Sequence, residues 1–254
     1  MKKSITLLAL MFVISASAQL TTVTYKDGGQ KLNGELAKPA HPTPSKSGIL
    51  VLPAWKGIDE HSRNTAQKLA EMGHYVFIAD IYGEGNYPKD DKQAGEKSGA
   101  FKKNYKDYVR RISLALEQLI RNGANPESVA IIGFCFGGTG ALEAARANLP
   151  VAGVVSFHGN LNRDPQRPIE KFKPKVLVCH GADDFFVPDS DIVSFQNEMK
   201  KSQADWQMIF YAKAVHSFTD PNAGNDPSKG VAYNALAAER SWEHMRLFFR
   251  EILR

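Results

Sequence analysis

Cysteine is scarce in this chain, with only Cys135 and Cys179 among 254 residues. Two cysteines could form one disulfide. If both lie on a parallel sheet with one strand between them, they are about 9–10 Å apart at ~4.8 Å per strand, whereas a disulfide needs Cα atoms within about 7 Å. We therefore expect two free thiols, with Cys135 accessible and Cys179 packed. The spacing of histidine, cysteine and aspartate does not match the short spacing typical of zinc sites, so no metal and no other cofactor is expected.

Dense runs of charge and long apolar runs are also scarce. The net charge is +5, but the basic residues are scattered, with no dense run beyond pairs such as those at 102–103 and 110–111, so nothing indicates binding to nucleic acid. The apolar stretch at residues 5–14 is shorter than the roughly 20 residues of a membrane span, and no later segment is apolar enough to cross a bilayer. Neither nucleic acid nor a membrane is therefore an expected partner.

The first 18 residues have the pattern of a secretory signal. Lys2 and Lys3 give a basic start, an apolar stretch follows, and the small residues at 16–18 precede a predicted cut before Gln19. The pattern predicts export to the periplasm or the extracellular medium, and a buried N-terminal strand or helix is the alternative. Residues 19–254 have a length that suits a single α/β domain. The oligomeric state is not determined by these features, and a monomer is expected.

From residue 48 onward, short apolar runs alternate with stretches of helical periodicity. Two earlier segments, 21–25 and 31–37, flank an Asp-Gly-Gly turn and predict an antiparallel hairpin. The predicted strands are 49–52, 75–79, 129–134, 151–157, 176–179 and 206–211, and the predicted helices are 61–72, 105–121, 190–200 and 231–253. This order predicts a mostly parallel sheet with helices on both faces. Residues 83–103, rich in Gly, Lys, Asp and Glu, are expected to form a mobile loop or a lid.

The most informative motif is Gly-Phe-Cys-Phe-Gly-Gly at residues 133–138. It follows an apolar run and precedes a helix-like stretch, which is the strand–turn–helix context of a nucleophile elbow, with Cys135 where a serine is usual. The flanking glycines avoid collisions in a sharp turn. The turn would hold the Cys135 thiol at the end of the sheet, near a helix N-terminus whose exposed N–H groups favour a thiolate.

A catalytic thiol needs a base, and the base needs an orienting carboxylate. Asp184 follows one predicted strand and His216 follows the next, in the chain order nucleophile, acid, histidine that α/β-hydrolases use. We therefore predict a catalytic triad of Cys135, Asp184 and His216. Taken singly, the three residues have other interpretations: a buried cysteine in a tight turn, a helix N-cap and a surface histidine.

These motifs resemble the dienelactone hydrolase family of α/β-hydrolases, and the resemblance extends from the first sheet strand to the final helix. It rests on residues 133–138, on the stretch Asp-Phe-Phe-Val-Pro at 184–188, and on His-Ser-Phe at 216–218. The resemblance implies an α/β-hydrolase fold and a carboxylic ester hydrolase with Cys135 as nucleophile and His216 as base. It implies Asp184 rather than Asp183 as the acid, because the family's acid stands directly before x-x-Val-Pro.

The same resemblance implies where the oxyanion hole and the pocket lie. The two donors are expected to be the backbone N–H groups of Phe136, directly after the nucleophile, and of Trp55, in the loop after the strand at 49–52. The Trp55 indole is either a pocket wall or a packing aromatic. His158 ends the strand after the elbow, at the sheet edge where ligands collect, and is either a substrate contact or a structural histidine.

Two positions differ from family members that hydrolyse dienelactone itself. Those members carry a glutamate where this chain has Ala54, and an arginine that holds the substrate carboxylate where this chain has Asp220. An acidic Asp220 in the pocket would repel an anionic lactone. We therefore expect hydrolysis of a neutral or cationic ester or lactone through a thioester acyl-enzyme. The alternatives are a carboxymethylenebutenolidase, which hydrolyses dienelactone, a non-catalytic small-ligand-binding protein on the same fold, and a thiol redox protein.

Overall fold

The computed structural model describes residues 19–254, so the predicted signal segment at 1–18 lies outside the described residues. The strands are β1 (Leu20–Asp27), β2 (Gln30–Ala37), β3 (Gly48–Leu52), β4 (Tyr75–Ile78), β5 (Val129–Phe134), β6 (Gly153–Phe157), β7 (Lys175–Gly181) and β8 (Trp206–Tyr211). The helices are α1 (Glu60–Glu71), α2 (Asp91–Lys103), α3 (Tyr105–Arg121), α4 (Phe136–Arg146), α5 (Asp189–Lys201) and α6 (Ala235–Ile252). No helix within this part of the chain is long and apolar enough to cross a membrane.

The eight strands form one sheet in the order β1-β2-β4-β3-β5-β6-β7-β8. β1 and β2 form the predicted antiparallel hairpin, and β2 pairs antiparallel with β4. All remaining pairs, from β4 through β8, are parallel. The carboxyl ends of β3 through β8 therefore lie along one edge of the sheet, where open α/β folds place their ligand sites.

The sheet is covered on both faces because its central strands are apolar along their whole length. Every residue of β3, β5 and β6 is buried, which is typical of parallel strands between two helical layers. On one face the core includes side chains of α3, α4 and α5, and on the other it includes side chains of α1 and α6. The predicted mostly parallel, doubly covered sheet is confirmed.

The segment predicted as a mobile loop or a lid contains a helix, so the loop interpretation was wrong for residues 91–103. Asp90 caps α2 by accepting the Gln93 N–H at 2.8 Å, and Asp and Asn caps are strong helix starts. Ala94 is fully buried, and Phe101 packs against the hydrophobic core. Because these tertiary contacts supplement a weak local preference, the helix forms despite its two glycines.

The two cysteines lie on opposite sides of β6. Cys135 follows β5, whereas Cys179 lies within β7, and both carry free thiols. Cys135 is partly accessible and Cys179 is buried. Burial raises the pKa of the Cys179 thiol to about 12, so this thiol stays protonated in the folded protein.

Candidate active site

The turn between β5 and α4 holds Cys135 in a strained backbone conformation, with φ 53° and ψ −112°. A left-handed φ is uncommon for a residue with a side chain. A Cβ atom at Gly133 would overlap the carbonyl oxygen of Gly137, and one at Gly137 would overlap the carbonyl oxygen of Leu52. Only glycine permits this close approach of β5, α4 and β3, so the elbow predicted from residues 133–138 has a steric basis.

Cys135, Asp184 and His216 meet at the carboxyl edge of the sheet. The Nε2 atom of His216 lies 3.0 Å from the Cys135 sulfur, and its Nδ1 atom lies 2.8 Å from Asp184 Oδ2. The other carboxylate oxygen of Asp184 accepts the Phe186 backbone N–H at 3.1 Å. Asp184 belongs to the loop after β7 and His216 to the loop after β8. The three side chains thus have the nucleophile–base–acid arrangement on three separate loops.

Hydrogen bonding decides the protonation state of His216. Burial disfavours the imidazolium, but hydrogen bonds to Asp184 and Cys135, together with their charges, outweigh burial and raise the pKa of His216 to about 10. The raised pKa favours the protonated ring, whose Nε2–H would face the sulfur. This arrangement favours a thiolate–imidazolium pair, because an adjacent cation stabilises a thiolate.

The two predicted oxyanion donors lie on loops after neighbouring strands, β3 and β5. Phe136 is the first residue of α4, and no side chain caps that helix N-terminus. Trp55 is half-buried in the loop after β3, and its carbonyl oxygen accepts the Tyr82 hydroxyl at 2.6 Å. Backbone N–H groups at such a helix start can stabilise an anion next to the sulfur.

A sequence profile of the dienelactone hydrolase family matches residues 32–253. The chain belongs to the dienelactone hydrolase family. A candidate carboxymethylenebutenolidase of Yersinia pestis is 26% identical, over 90% of this chain and 86% of its own length. Another from Aquifex aeolicus is 27% identical, over 91% of this chain and 98% of its own. A dienelactone hydrolase-like promiscuous phosphotriesterase from metagenomic libraries is 33% identical, with a TM-score of 0.86 over 94% of this chain and 100% of that one. The predicted family, α/β-hydrolase fold and hydrolase class are confirmed.

His158 of this dienelactone hydrolase family member lies beneath the nucleophile rather than in an open pocket. His158 is only 2% exposed. Its Nδ1 atom accepts the Cys135 backbone N–H at 3.1 Å, and its Nε2 atom lies 2.8 Å from the Thr219 hydroxyl. Of the two interpretations that the sequence left open, this geometry favours the structural one.

Asp220 has its own local partners, away from the triad. Its carboxylate accepts the Asn222 backbone N–H at 2.9 Å and caps the short 3₁₀ turn Pro221–Ala223. Its charge also acts on His61 of α1, where it favours the protonated ring, although burial is the stronger effect and lowers the pKa of His61.

Two exposed phenylalanines beside the triad were not identified from the sequence. The rings of Phe185 and Phe186 have centroids 4.8 Å apart, and the Phe186 ring meets the His216 ring edge-on at 5.5 Å. Their exposed fractions are 63% and 48%. Large apolar side chains at a site mouth are typical of ligand contacts. The one signal in the sequence that could have identified these two phenylalanines is their position directly after Asp184.

Two buried tyrosines that brace the oxyanion-hole loops were also missed. Tyr108 of α3 donates its hydroxyl to the Phe136 carbonyl at 2.9 Å, and its ring stacks on that of Phe136 with centroids 4.5 Å apart. Tyr82 holds the Trp55 carbonyl. Neither tyrosine belongs to a local motif, because each reaches the site from a distant element. Among residues 19–254, no group of three or more His, Cys, Asp or Glu side chains could hold a metal ion.

Proposed function

We propose that this protein is an exported carboxylic ester hydrolase that cleaves esters or lactones through Cys135, His216 and Asp184. The observation that supports the proposal most strongly is the continuous contact from sulfur to carboxylate, 3.0 Å and 2.8 Å on the two sides of the His216 ring. Its location at a glycine-lined elbow adds support, because the sulfur then stands at a helix N-terminus.

In the acylation half of the reaction, the Cys135 thiolate attacks the substrate carbonyl carbon and forms a carbon–sulfur bond. The carbonyl electron pair moves to oxygen, and the resulting oxyanion accepts the backbone N–H groups of Phe136 and Trp55. When the carbonyl re-forms, the carbon–oxygen bond to the alcohol breaks. The His216 imidazolium gives its Nε2 proton to the leaving alkoxide, which departs as an alcohol.

In the deacylation half, His216 acts as a base. Acylation removes the thiolate charge and its hydrogen bond, which are two of the causes that raise the pKa of His216. The neutral ring then takes a proton from water, and the hydroxide attacks the thioester carbonyl. The carbon–sulfur bond breaks, the carboxylic acid leaves, and the thiolate–imidazolium pair is restored. Asp184 keeps the ring oriented through Nδ1 in both halves.

Neutral esters with apolar groups are the proposed substrate class. Phe185 and Phe186 offer apolar surface next to His216, and Ala54 carries no charge where members acting on dienelactone have a glutamate. The chain also lacks their arginine, having Asp220 at that position, so a substrate carboxylate has no matched cation there. This absence supports a neutral substrate.

Two other activities have specific support. Carboxymethylenebutenolidase activity is supported by the relatives of Yersinia pestis and Aquifex aeolicus, which are named as candidates for it. Phosphotriester hydrolysis is supported by the 33% identical structure that carries the name of a promiscuous phosphotriesterase. In that case the thiolate would attack phosphorus, and the phosphoryl oxygen would occupy the oxyanion hole.

The test is a substrate panel on purified protein with matched variants at the nucleophile. We expect wild type to hydrolyse p-nitrophenyl butyrate with a kcat/KM at least tenfold above that for dienelactone or a dialkyl p-nitrophenyl phosphate. Cys135→Ala should lose at least 10³-fold, and Cys135→Ser should stay far below wild type because a serine hydroxyl has a much higher pKa than a thiol. Equal, slow hydrolysis by wild type and Cys135→Ala would contradict the enzyme proposal and favour a binding protein. A dienelactone preference would instead select the carboxymethylenebutenolidase.

Export has a separate test. The basic start, the short apolar stretch and the small residues at 16–18 support removal of residues 1–18. Protein recovered from the producing cells should therefore begin at Gln19 by mass spectrometry and should be found outside the cytoplasm. Recovery of the chain with Met1 retained, in the cytoplasmic fraction, would refute export without affecting the proposed chemistry.

A further inference from the structure

The His158 ring joins two loops that the sheet itself does not connect. The nucleophile follows β5 and the His216 loop follows β8, with β6 and β7 between them, so no strand pairing fixes the separation of the two reacting atoms. His158, directly after β6, accepts the Cys135 N–H with Nδ1 at 3.1 Å, an N–H that it shares with the Phe157 carbonyl at 3.0 Å. Its Nε2 atom meets the Thr219 hydroxyl at 2.8 Å. Thr219 lies three residues after His216 on the same loop.

The hydrogen bonds determine where the single ring proton of His158 lies. A backbone N–H can only donate, so Nδ1 must be unprotonated, and the proton belongs to Nε2, which donates to the Thr219 oxygen. Burial lowers the pKa of His158 far below its usual value, and the neighbouring His216, His61 and His180 rings lower it further. If Nδ1 also carried a proton, its N–H would face the Cys135 N–H. The charged ring would also place a second cation beside His216, whose ring centroid is 5.2 Å away.

Packing also restrains this separation, because Phe218 of the His216 loop is fully buried and its ring meets the His158 ring edge-on at 5.3 Å. The backbone of Cys135 is strained, and residues in such conformations persist only where the surroundings hold them. The His216 loop is held by backbone bonds to its own later residues, with His216 N–H donating to the Gly230 carbonyl and Ala232 N–H donating to the His216 carbonyl. These bonds order the loop but do not tie it to the elbow, whereas the His158–Thr219 pair does.

We infer that His158 is a positioning residue that sets the distance between the Cys135 sulfur and His216 Nε2 by linking the elbow to Thr219. The inference rests on the proposed function, since it assigns His158 a part in that same site. The link is predicted to matter for kcat and for thiolate formation, and to leave substrate binding unchanged, because the buried ring does not face the pocket.

Three variants separate the two hydrogen bonds of the link, Cys135 N–H to His158 and His158 to Thr219. Thr219→Val removes the hydroxyl at nearly constant volume, whereas Thr219→Ser keeps it. His158→Asn places an amide oxygen close to the position of Nδ1, so the Cys135 N–H keeps an acceptor, but the shorter side chain cannot reach Thr219. His74→Asn is the matched control, because His74 is also buried and bonds a hydroxyl, Ser47 Oγ at 2.7 Å, at the amino ends of the strands.

The measurements are kcat and KM on p-nitrophenyl butyrate and the pH profile of Cys135 alkylation by iodoacetamide, both normalised to the folded fraction. We expect Thr219→Val and His158→Asn each to lower kcat about tenfold to a hundredfold, with KM within about twofold and the alkylation profile moved to higher pH. Thr219→Ser and His74→Asn should stay within about twofold of wild type. The double variant should be no more than about twofold worse than either single one, because both remove the same link.

The inference is overturned if Thr219→Val keeps the wild-type kcat and alkylation profile, or if it loses no more than His74→Asn. Should His158→Asn fail to fold, the comparison of Thr219→Val with Thr219→Ser decides alone. Absence of ester hydrolysis in wild type would refute the proposed function but would leave the alkylation profiles as a test of the link.

Discussion

At the scale of single residues, Cys135 and His216 depend on one another for their charge. Burial lowers the pKa of His216, but the hydrogen bonds to Asp184 and Cys135 and their charges outweigh burial. Together they raise the pKa to about 10, which favours the protonated ring. The imidazolium in turn favours the thiolate, through a contact of 3.0 Å between Nε2 and sulfur. The proposed nucleophile would therefore be activated before substrate arrives, and its reactivity can be measured without any substrate.

We predict that His216→Ala shifts the alkylation of Cys135 to higher pH. Without the imidazolium the thiolate loses the adjacent positive charge that stabilises it, so the iodoacetamide rate at pH 6 should fall about tenfold to a hundredfold. Cys179 provides an internal control, because its pKa of about 12 keeps it unreactive in both proteins. An unchanged pH profile, measured by mass spectrometry of the alkylated peptide, would mean that His216 does not stabilise the thiolate.

At the scale of elements, the elbow depends on the fit of α4 between β3 and β5. Gly137 lies in the first turn of α4, where a Cβ atom would overlap the Leu52 carbonyl of β3. That carbonyl is backbone within a fully buried strand, so it has little room to move. The position of α4 in turn sets the helix N-terminus beside the Cys135 sulfur.

We predict opposite effects for two glycine-to-alanine changes in helices. Gly137→Ala should lower stability by at least about 3 kcal/mol and displace α4, because a backbone clash in the core cannot relax. Gly99→Ala in α2 should raise stability by up to about 1 kcal/mol, because nothing lies within 4 Å of the added atom and alanine favours helix. Urea denaturation measures the free energy of unfolding of both variants. A Gly137→Ala protein as stable as wild type would show that α4 can move without loss of stability.

At the scale of the whole molecule, four histidines are packed into the two core layers or against them. Burial lowers the pKa of each of them, namely His61, His74, His158 and His180. For His74 the pKa falls to about 4. These rings are neutral in the folded protein but take up protons when it unfolds below about pH 6.5. Their stability contribution is thus fully present above that pH and is lost as the pH falls towards the folded-state values.

We predict that the protein loses stability between pH 7 and pH 5, and that His74 accounts for about 2 kcal/mol of the loss. Replacing this ring by a non-titrating amide, His74→Gln, should lower stability at pH 7 but flatten the decline below it. The measurement is the free energy of unfolding in urea at several pH values. A variant whose decline parallels that of wild type would contradict the assignment of this proton uptake to His74.

Much of the fold could be predicted because the deciding patterns are local. The strands at 129–134 and 206–211 were predicted with the bounds that β5 and β8 have. For β5 the signal is a continuous apolar run, which is typical of buried parallel strands. Helix α2 was missed because its sequence is polar and contains two glycines. Its stability comes from a cap and from packing against residues far away in the chain.

The sequence by itself determined the elbow and the order of nucleophile, acid and histidine, because glycine spacing and strand order are written along the chain. Only the tertiary structure decided which side chains meet. It brought His216 to 3.0 Å from the sulfur, turned His158 inward beneath Cys135, and directed Asp220 towards Asn222. These contacts join residues from different strands, and their geometry depends on how whole elements pack, so no local pattern could record them.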